Sequence, residues 1–188
     1  MALALRRSPP MRVADFLAMI RARPDEERWE LPDGEPVLMA PPSERHQQIV
    51  GNLIRQIGPL ADKLGRRARP GLGLRNDFVD DTAPIPDLVV RRGPLLSDGY
   101  ARDPIVVAEV LSPSTMNNDR GRRAEFYHGL QTLRTYLIVY GDEPRVEVWS
   151  RGNGSDRALR VLGPGDTLPL SDLAGEMPVA ALYAGIPL

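Results

Sequence analysis

The sequence predicts an α/β fold with a mixed central β-sheet flanked by helices. Three observations predict it. Strand-like and helix-like segments succeed one another along the chain, which points to a sheet packed against helices. Residues 104–111 (PIVVAEVL) and 135–140 (TYLIVY) are short, β-branched apolar runs of the kind buried on both faces of a sheet. Residues 44–58 place Ile49, Val50, Leu53, Ile54 and Ile57 at helical spacing, the strongest amphipathic helix in the chain.

The elements follow in order. Phe16, Leu17 and Ile20 lie on one helical face within 14–22, and Pro24 ends that helix. Residues 28–31 and 36–40 flank Pro32-Asp33-Gly34, a turn signal, and read as a hairpin. Ser43 caps the main helix, three residues before His46. A Gly- and Arg-rich segment follows, with a strand expected at 71–79. Pro86 opens a short strand to Val90. Asn118 or Asp119 caps a helix running to about Leu130, with Arg123, Tyr127 and Leu130 on one side. Arg145 to Arg151 and Ala158 to Leu162 form a hairpin around Gly152-Asn153-Gly154, and the proline-rich tail carries a last helical turn near Ala180. The whole chain, 1–188, reads as one domain with its core at about 28–162 and residues 1–13 as a flexible arm.

Composition narrows the chemistry. The 188 residues are 42% hydrophobic and 26% charged, ordinary for a globular domain large enough to bury a core. With no cysteine there is no disulfide, thiolate nucleophile or thiolate metal site, and two histidines exclude a multi-histidine zinc site within one chain. Neither apolar run is long enough to span a bilayer, and the arginines of the opening MALALRRSPP follow its apolar part instead of preceding it. A cytoplasmic protein is expected. Net charge of −1 gives no overall attraction to nucleic acid. The arginines nevertheless cluster in three runs, at 66–75, 91–92 and 120–123, and together these read as a phosphate track or as three solvated faces. Only Lys63 among the 24 basic residues is lysine.

Two carboxylates carry the chemistry. Glu109 lies inside an apolar strand, where an ionised acid costs several kcal/mol unless it is paired or metal-bound. Alternation puts Val107, Glu109 and Leu111 on one face. Asp87 poses the same problem at the head of Leu88-Val89-Val90. If the two strands are neighbours, the acids share a cleft, where carboxylates about 4 Å apart repel by roughly 4 kcal/mol. A proton, arginine pairing or a divalent cation relieves this. Hard oxygen donors suit Mg2+ or Mn2+.

The blocks Pro86-Asp87-Leu88-Val89-Val90, Val107-Ala108-Glu109-Val110-Leu111-Ser112-Pro113-Ser114-Thr115, Asp119-Arg120-Gly121 and Tyr127 resemble the Uma-two family of the restriction-endonuclease-like (PD-(D/E)XK) superfamily. Trp29-Glu30-Leu31-Pro32-Asp33-Gly34-Glu35 and Pro41-Pro42-Ser43-Glu44-Arg45-His46 fit the same pattern, so the resemblance covers about 15–175. It implies a restriction-endonuclease-like core, here with an N-terminal hairpin and a C-terminal β-hairpin added. It implies that Asp87 and Glu109, with the backbone carbonyl of Val110, bind a metal ion. The superfamily's usual lysine, two residues after the second acid, is replaced by Leu111. The Uma-like branch moves it to the next helix, at the position of Arg123. Arginine stays protonated and cannot act as a base, but it can hold phosphate charge or position a water. A further departure is Leu137, where the family tends to have tryptophan.

The expected function is therefore metal-dependent endonucleolytic hydrolysis of DNA, with Asp87, Glu109 and Arg123 catalytic and Glu30 and His46 as accessory groups. The alternative is a catalytically inactive nuclease fold that binds nucleic acid or protein, and a homodimer is compatible with symmetry preferences. Local readings compete: Glu30 as an exposed strand acid, His46 as a locally bonded helix-start histidine, Asp119 as a cap and Tyr127 as core.

Overall fold

The computed structural model of the chain describes residues 9–24, 26–111, 122–152 and 157–187. The elements, in order, are α1 (Val13–Ile20), β1 (Trp29–Glu30), β2 (Val37–Leu38), α2 (Glu44–Lys63), β3 (Arg67–Pro70), β4 (Gly73–Leu74), β5 (Leu88–Arg91), β6 (Tyr100–Ala101), β7 (Val106–Leu111), α3 (Arg122–Gly129), β8 (Thr135–Tyr140), β9 (Val146–Arg151), β10 (Arg157–Leu162), β11 (Thr167–Leu170) and β12 (Gly175–Pro178). Two 3-10 turns, Ser171–Leu173 and Val179–Tyr183, flank β12.

A six-stranded sheet in the order β10-β9-β8-β7-β5-β3 forms the middle layer. β7 and β8 run parallel and every other neighbour is antiparallel. The parallel pair needs a crossover, and α3 lies in it. All residues of β7 and β8 are buried, as expected for strands covered on both faces. Alternation divides their side chains. Val106, Ala108 and Val110 join Ile49, Leu53, Ile57 and Ala61 of α2 in one core, while Val107 and Leu111 join Phe126 and Tyr127 of α3 in the other. Glu109 falls in the second set by parity. The expected α/β architecture, a mixed sheet between helices, is what forms.

Several boundaries differ from expectation. The main helix runs on through Pro59 to Lys63. The proline removes one N–H, but Ala61 is fully buried and Leu60 packs on the same core, so packing carries the helix past it. The strand expected at 71–79 shrinks to Gly73–Leu74, and the longer strand is the arginine-bearing β3 just before it. The tail forms a hairpin, β11 with β12, that the sequence reading missed; its inward Leu168, Leu170 and Met177 complete the α2-side core. Buried Asn52 on α2 ties that tail down, donating from Nδ2 to the carbonyls of Leu182 at 2.7 Å and Ala184 at 3.0 Å. The proposed caps Asn118 and Asp119 lie outside the described residues, as do Asn153 and Gly154. Of the expected arm, residues 1–8 also lie outside, while Met11 and Val13 are bonded through their backbones to Gly34 and Asp80.

The N-terminal hairpin is real but short, pairing Trp29 with Leu38 and Glu30 with Val37. Its turn needs left-handed backbone at Asp33 and Gly34. A side chain at Gly34 would also strike Pro10. A bridge between Leu31 and Ala83 then sets β1 beside the segment leading to Asp87. No helix among the described residues is long and apolar enough to cross a membrane.

Candidate active site

The register of β5 on β7 creates the site. Leu88 pairs with Ala108, and one further step in the same antiparallel register sets Asp87 beside Glu109. The placement is fixed by a hydrogen bond, since the Val110 N–H donates to Asp87 Oδ2 at 2.7 Å. The other Asp87 oxygen, Oδ1, lies 2.8 Å from His46 Nε2. His46 is held in turn by the start of α2, where its backbone N–H donates to Ser43 Oγ at 3.2 Å.

Glu109 is 7% exposed and meets α3. Its Oε1 accepts hydrogen bonds from Arg123 Nη1, at 3.0 Å, and from the Tyr127 hydroxyl. Arg123 and Tyr127 are four residues apart, one helical turn, and so share a face of α3. Arg123 Nη2 reaches Glu30 Oε2, and the other Glu30 oxygen accepts the Ile85 N–H at 2.7 Å. Glu30 is 6% exposed. One guanidinium thus bridges two buried acids that lie far apart in the sequence.

The structure brings together Glu30, His46, Asp87, Glu109, Val110 and Arg123, every site residue expected from the sequence. Glu30 is not the exposed strand acid of the competing reading. Tyr127 is core, as expected, but it also touches Glu109 through its hydroxyl. Its spacing from Arg123 is the signal that points there. Among the described residues, no group of three or more His, Cys, Asp or Glu side chains has metal-binding spacing. The donor set expected here is smaller, two carboxylates and a backbone carbonyl.

The electrostatics are those of a buried acidic cluster. Burial pushes the Glu109 carboxyl up to about 7; Arg123 pulls it back, Asp87 and Glu30 raise it again, and the Tyr127 hydrogen bond opposes them. The hydrogen bond to Asp87 raises the His46 imidazole above its ordinary 6.5 against its desolvation, with further help from the charges of Asp87 and Glu109. Burial, and then the Glu109 charge, pushes the Tyr127 hydroxyl well up, so it stays a donor. Among the described residues, three carboxylates, one guanidinium and one imidazole come together here, and the carboxylates are hard oxygen donors of the kind that suit a divalent cation.

The arginine runs are partly consumed in structure. Arg75 pairs with Asp98, Arg91 with Asp103, and Arg67 with Asp62. Arg66 donates to the Asp172 carbonyl. Arg120 lies outside the described residues.

Comparison with known proteins agrees with the fold. A family model described as "Uma2: Putative restriction endonuclease" matches residues 13–180. The crystal structure of "a putative nuclease belonging to DUF820" from Anabaena variabilis superposes with a TM-score of 0.73 at 19% identity, over 93% of this chain and 98% of that one. At that identity the likeness establishes the fold. The uncharacterized protein slr1290 of Synechocystis sp. is 29% identical over 83 residues, 44% of each chain, so the match spans less than half the length of that relative.

Proposed function

The chain belongs to the Uma2 family, and from that premise we propose that it is a metal-dependent endonuclease that hydrolyses DNA phosphodiester bonds. One observation carries the reading: Asp87, at the head of β5, and Glu109, on β7, come together in a largely buried cluster of hard oxygen donors in which burial holds the Glu109 carboxyl well above its ordinary value. Asp87, Glu109 and the Val110 carbonyl would hold Mg2+ or Mn2+, which when bound polarises a phosphate and lowers the pKa of a water.

The chain's own residues do the rest. Among the described residues both hydrogen bonds to Glu109 fall on Oε1, and Oε2 would be the oxygen given to the metal. The Val110 N–H and His46 fix both oxygens of Asp87, so the carboxylate is oriented before any ligand arrives. The raised pKa of His46 favours the protonated ring, which donates to Asp87, a positioning role. Arg123 supplies a fixed positive charge beside Glu109. It can stabilise phosphate charge but cannot remove a proton. The surface arginines would contact the DNA backbone without reading sequence. Plasmid cleavage with Mg2+ or Mn2+ tests this, comparing wild type with Asp87→Ala and Glu109→Ala. The expectation is loss in both variants. Equal cleavage by all three proteins would identify a contaminant and end the claim.

A second reading is favoured by one feature. Arg123 stands where the family carries lysine, and its guanidinium is committed to Glu30 and Glu109. In that reading the fold binds nucleic acid or protein without cleaving. Arg123→Lys separates the two: a silent wild type whose variant cleaves is a decayed enzyme.

A further inference from the structure

We propose that β10 is a self-association edge, where two copies of this chain add antiparallel to one another about a two-fold axis through Leu159, extending six strands to twelve.

The two ends of the sheet differ in how they are protected. β3 ends one side. It is four residues long, carries Arg67 and Arg69, and finishes in Pro70, which has no N–H to offer. Short length, charge and proline are the devices by which natural sheets block edge pairing. β10 shares only the charge, in Arg157 and Arg160. It is six residues long, lacks proline, and pairs with β9 in unbroken register from Arg157–Arg151 to Leu162–Val146. Among the described residues its backbone bonds to β9 alone, so a row of N–H and C=O groups faces outward. Four successive residues, Ala158 to Val161, are exposed. Leu159 and Val161 are two of the six exposed large apolar side chains among the described residues, at 45% and 52%.

Register selects the partner. A two-fold axis normal to the sheet keeps each face on its own side, so a residue must oppose itself at the axis. The two registers with the longest overlap are centred on Leu159 and on Arg160. Centring on Arg160 stacks two guanidiniums, and like charges directly opposite destabilise a pair. Centring on Leu159 sets leucine against leucine, Arg157 against the second copy's Val161, and Ala158 against the second copy's Arg160. No arginine meets an arginine. Leu159 is paired across β9 with half-buried Trp149. The same axis therefore joins two Trp149–Leu159 pairs into one apolar stripe across the junction. The strand is complementary to a reversed copy of itself, which is the requirement for an isologous interface.

Sedimentation equilibrium of the full chain tests this. The expected mass is twice 20.8 kDa at micromolar concentration. Leu159→Lys sets two ammonium groups opposite one another and should weaken dimerisation roughly tenfold or more, with far-UV circular dichroism unchanged. The natural chain has no cysteine, so Leu159→Cys gives a second readout that does not depend on the lysine variant folding. Under mild oxidation it should form a disulfide dimer, while Phe78→Cys, on a residue 82% exposed, should not. A wild type that sediments as a monomer overturns the proposal. So does a dimer indifferent to Leu159→Lys, or cross-linking equally efficient through Phe78→Cys.

Discussion

Replacing Glu109 with glutamine should make the metal-free protein more stable at pH 8, and the size of the gain follows from the site. The carboxyl titrates at about 7 in the folded protein, against 4.5 ordinarily, because burial outweighs the help of Arg123 and Tyr127. Between those pH values the folded chain keeps a proton that the unfolded chain has released. Stability from this group is therefore fully present below about pH 4.5 and is lost as pH rises through 7. At about 1.4 kcal/mol per pH unit, the loss is about 3 kcal/mol once Glu109 is ionised. Glutamine resembles the protonated acid, so Glu109→Gln should recover most of that at pH 8 and change little at pH 4.5. For a chain of this size the gain is a rise in Tm of roughly 6–12 °C. Urea or thermal unfolding with EDTA at both pH values measures it. Adding Mg2+ should stabilise the wild type and not the variant, since glutamine is a poor ligand for that ion. If Glu109→Gln is the less stable protein at pH 8 in EDTA, the ion pair with Arg123 outweighs burial and the reasoning from the buried carboxylate is wrong.

Other perturbations probe the neighbours. The chain has two histidines, and their ring signals should titrate apart: His46 above 6.5, because of Asp87, and His128 below it, because of burial and then Arg157 and Arg151. Asp87→Asn should bring the His46 value down while leaving His128 in place; NMR that finds the wild-type order reversed contradicts this. The His46–Asp87 contact accordingly stabilises the fold below pH 6.5 and loses that contribution as pH climbs through the raised imidazole value. Tyr127→Phe strips a donor from a buried carboxylate and should destabilise by about 1–3 kcal/mol at pH 8, read by urea unfolding; an unchanged midpoint would mean the hydroxyl is idle. Arg123→Met leaves Glu30 and Glu109 without their shared cation and should lose about 3 kcal/mol or more at pH 8, and less at pH 5 where Glu109 is protonated. Ser43→Ala removes the α2 cap and should cost about 1 kcal/mol, with His46 titrating closer to 6.5 if the helix start frays.

The central layers were legible because their signals are local. β-branched runs fixed β7 and β8, and a single charged residue in such a run marked Glu109 before any neighbour was known. Asp87 was legible from its place at the head of a short strand, and the antiparallel register then set it beside Glu109. Glu30 and His46 were ambiguous in sequence because their meaning is long-range. Arg123 joins Glu30 to Glu109 across the chain, and only the fold puts a histidine from α2 against Asp87. The β3 boundary was missed because an arginine-bearing edge strand lacks the apolar alternation of a half-buried one. The tail hairpin was missed because prolines in Thr167–Leu170 and Gly175–Pro178 read as breakers, whereas the inward leucines and Met177 decided the structure.

The bond from Asn52 to Leu182 spans 130 residues and closes the core over α2. During synthesis, α2 leaves the ribosome long before the segment that covers it. Its inward face, Ile49, Leu53 and Ile57, must wait for that segment with only part of its final neighbours in place. His46 sits on the first turn of the same helix, so the alignment of Asp87 should be among the last features to mature. A nascent chain stalled before residue 168 would carry both acids and yet lack the buttress that aims one of them.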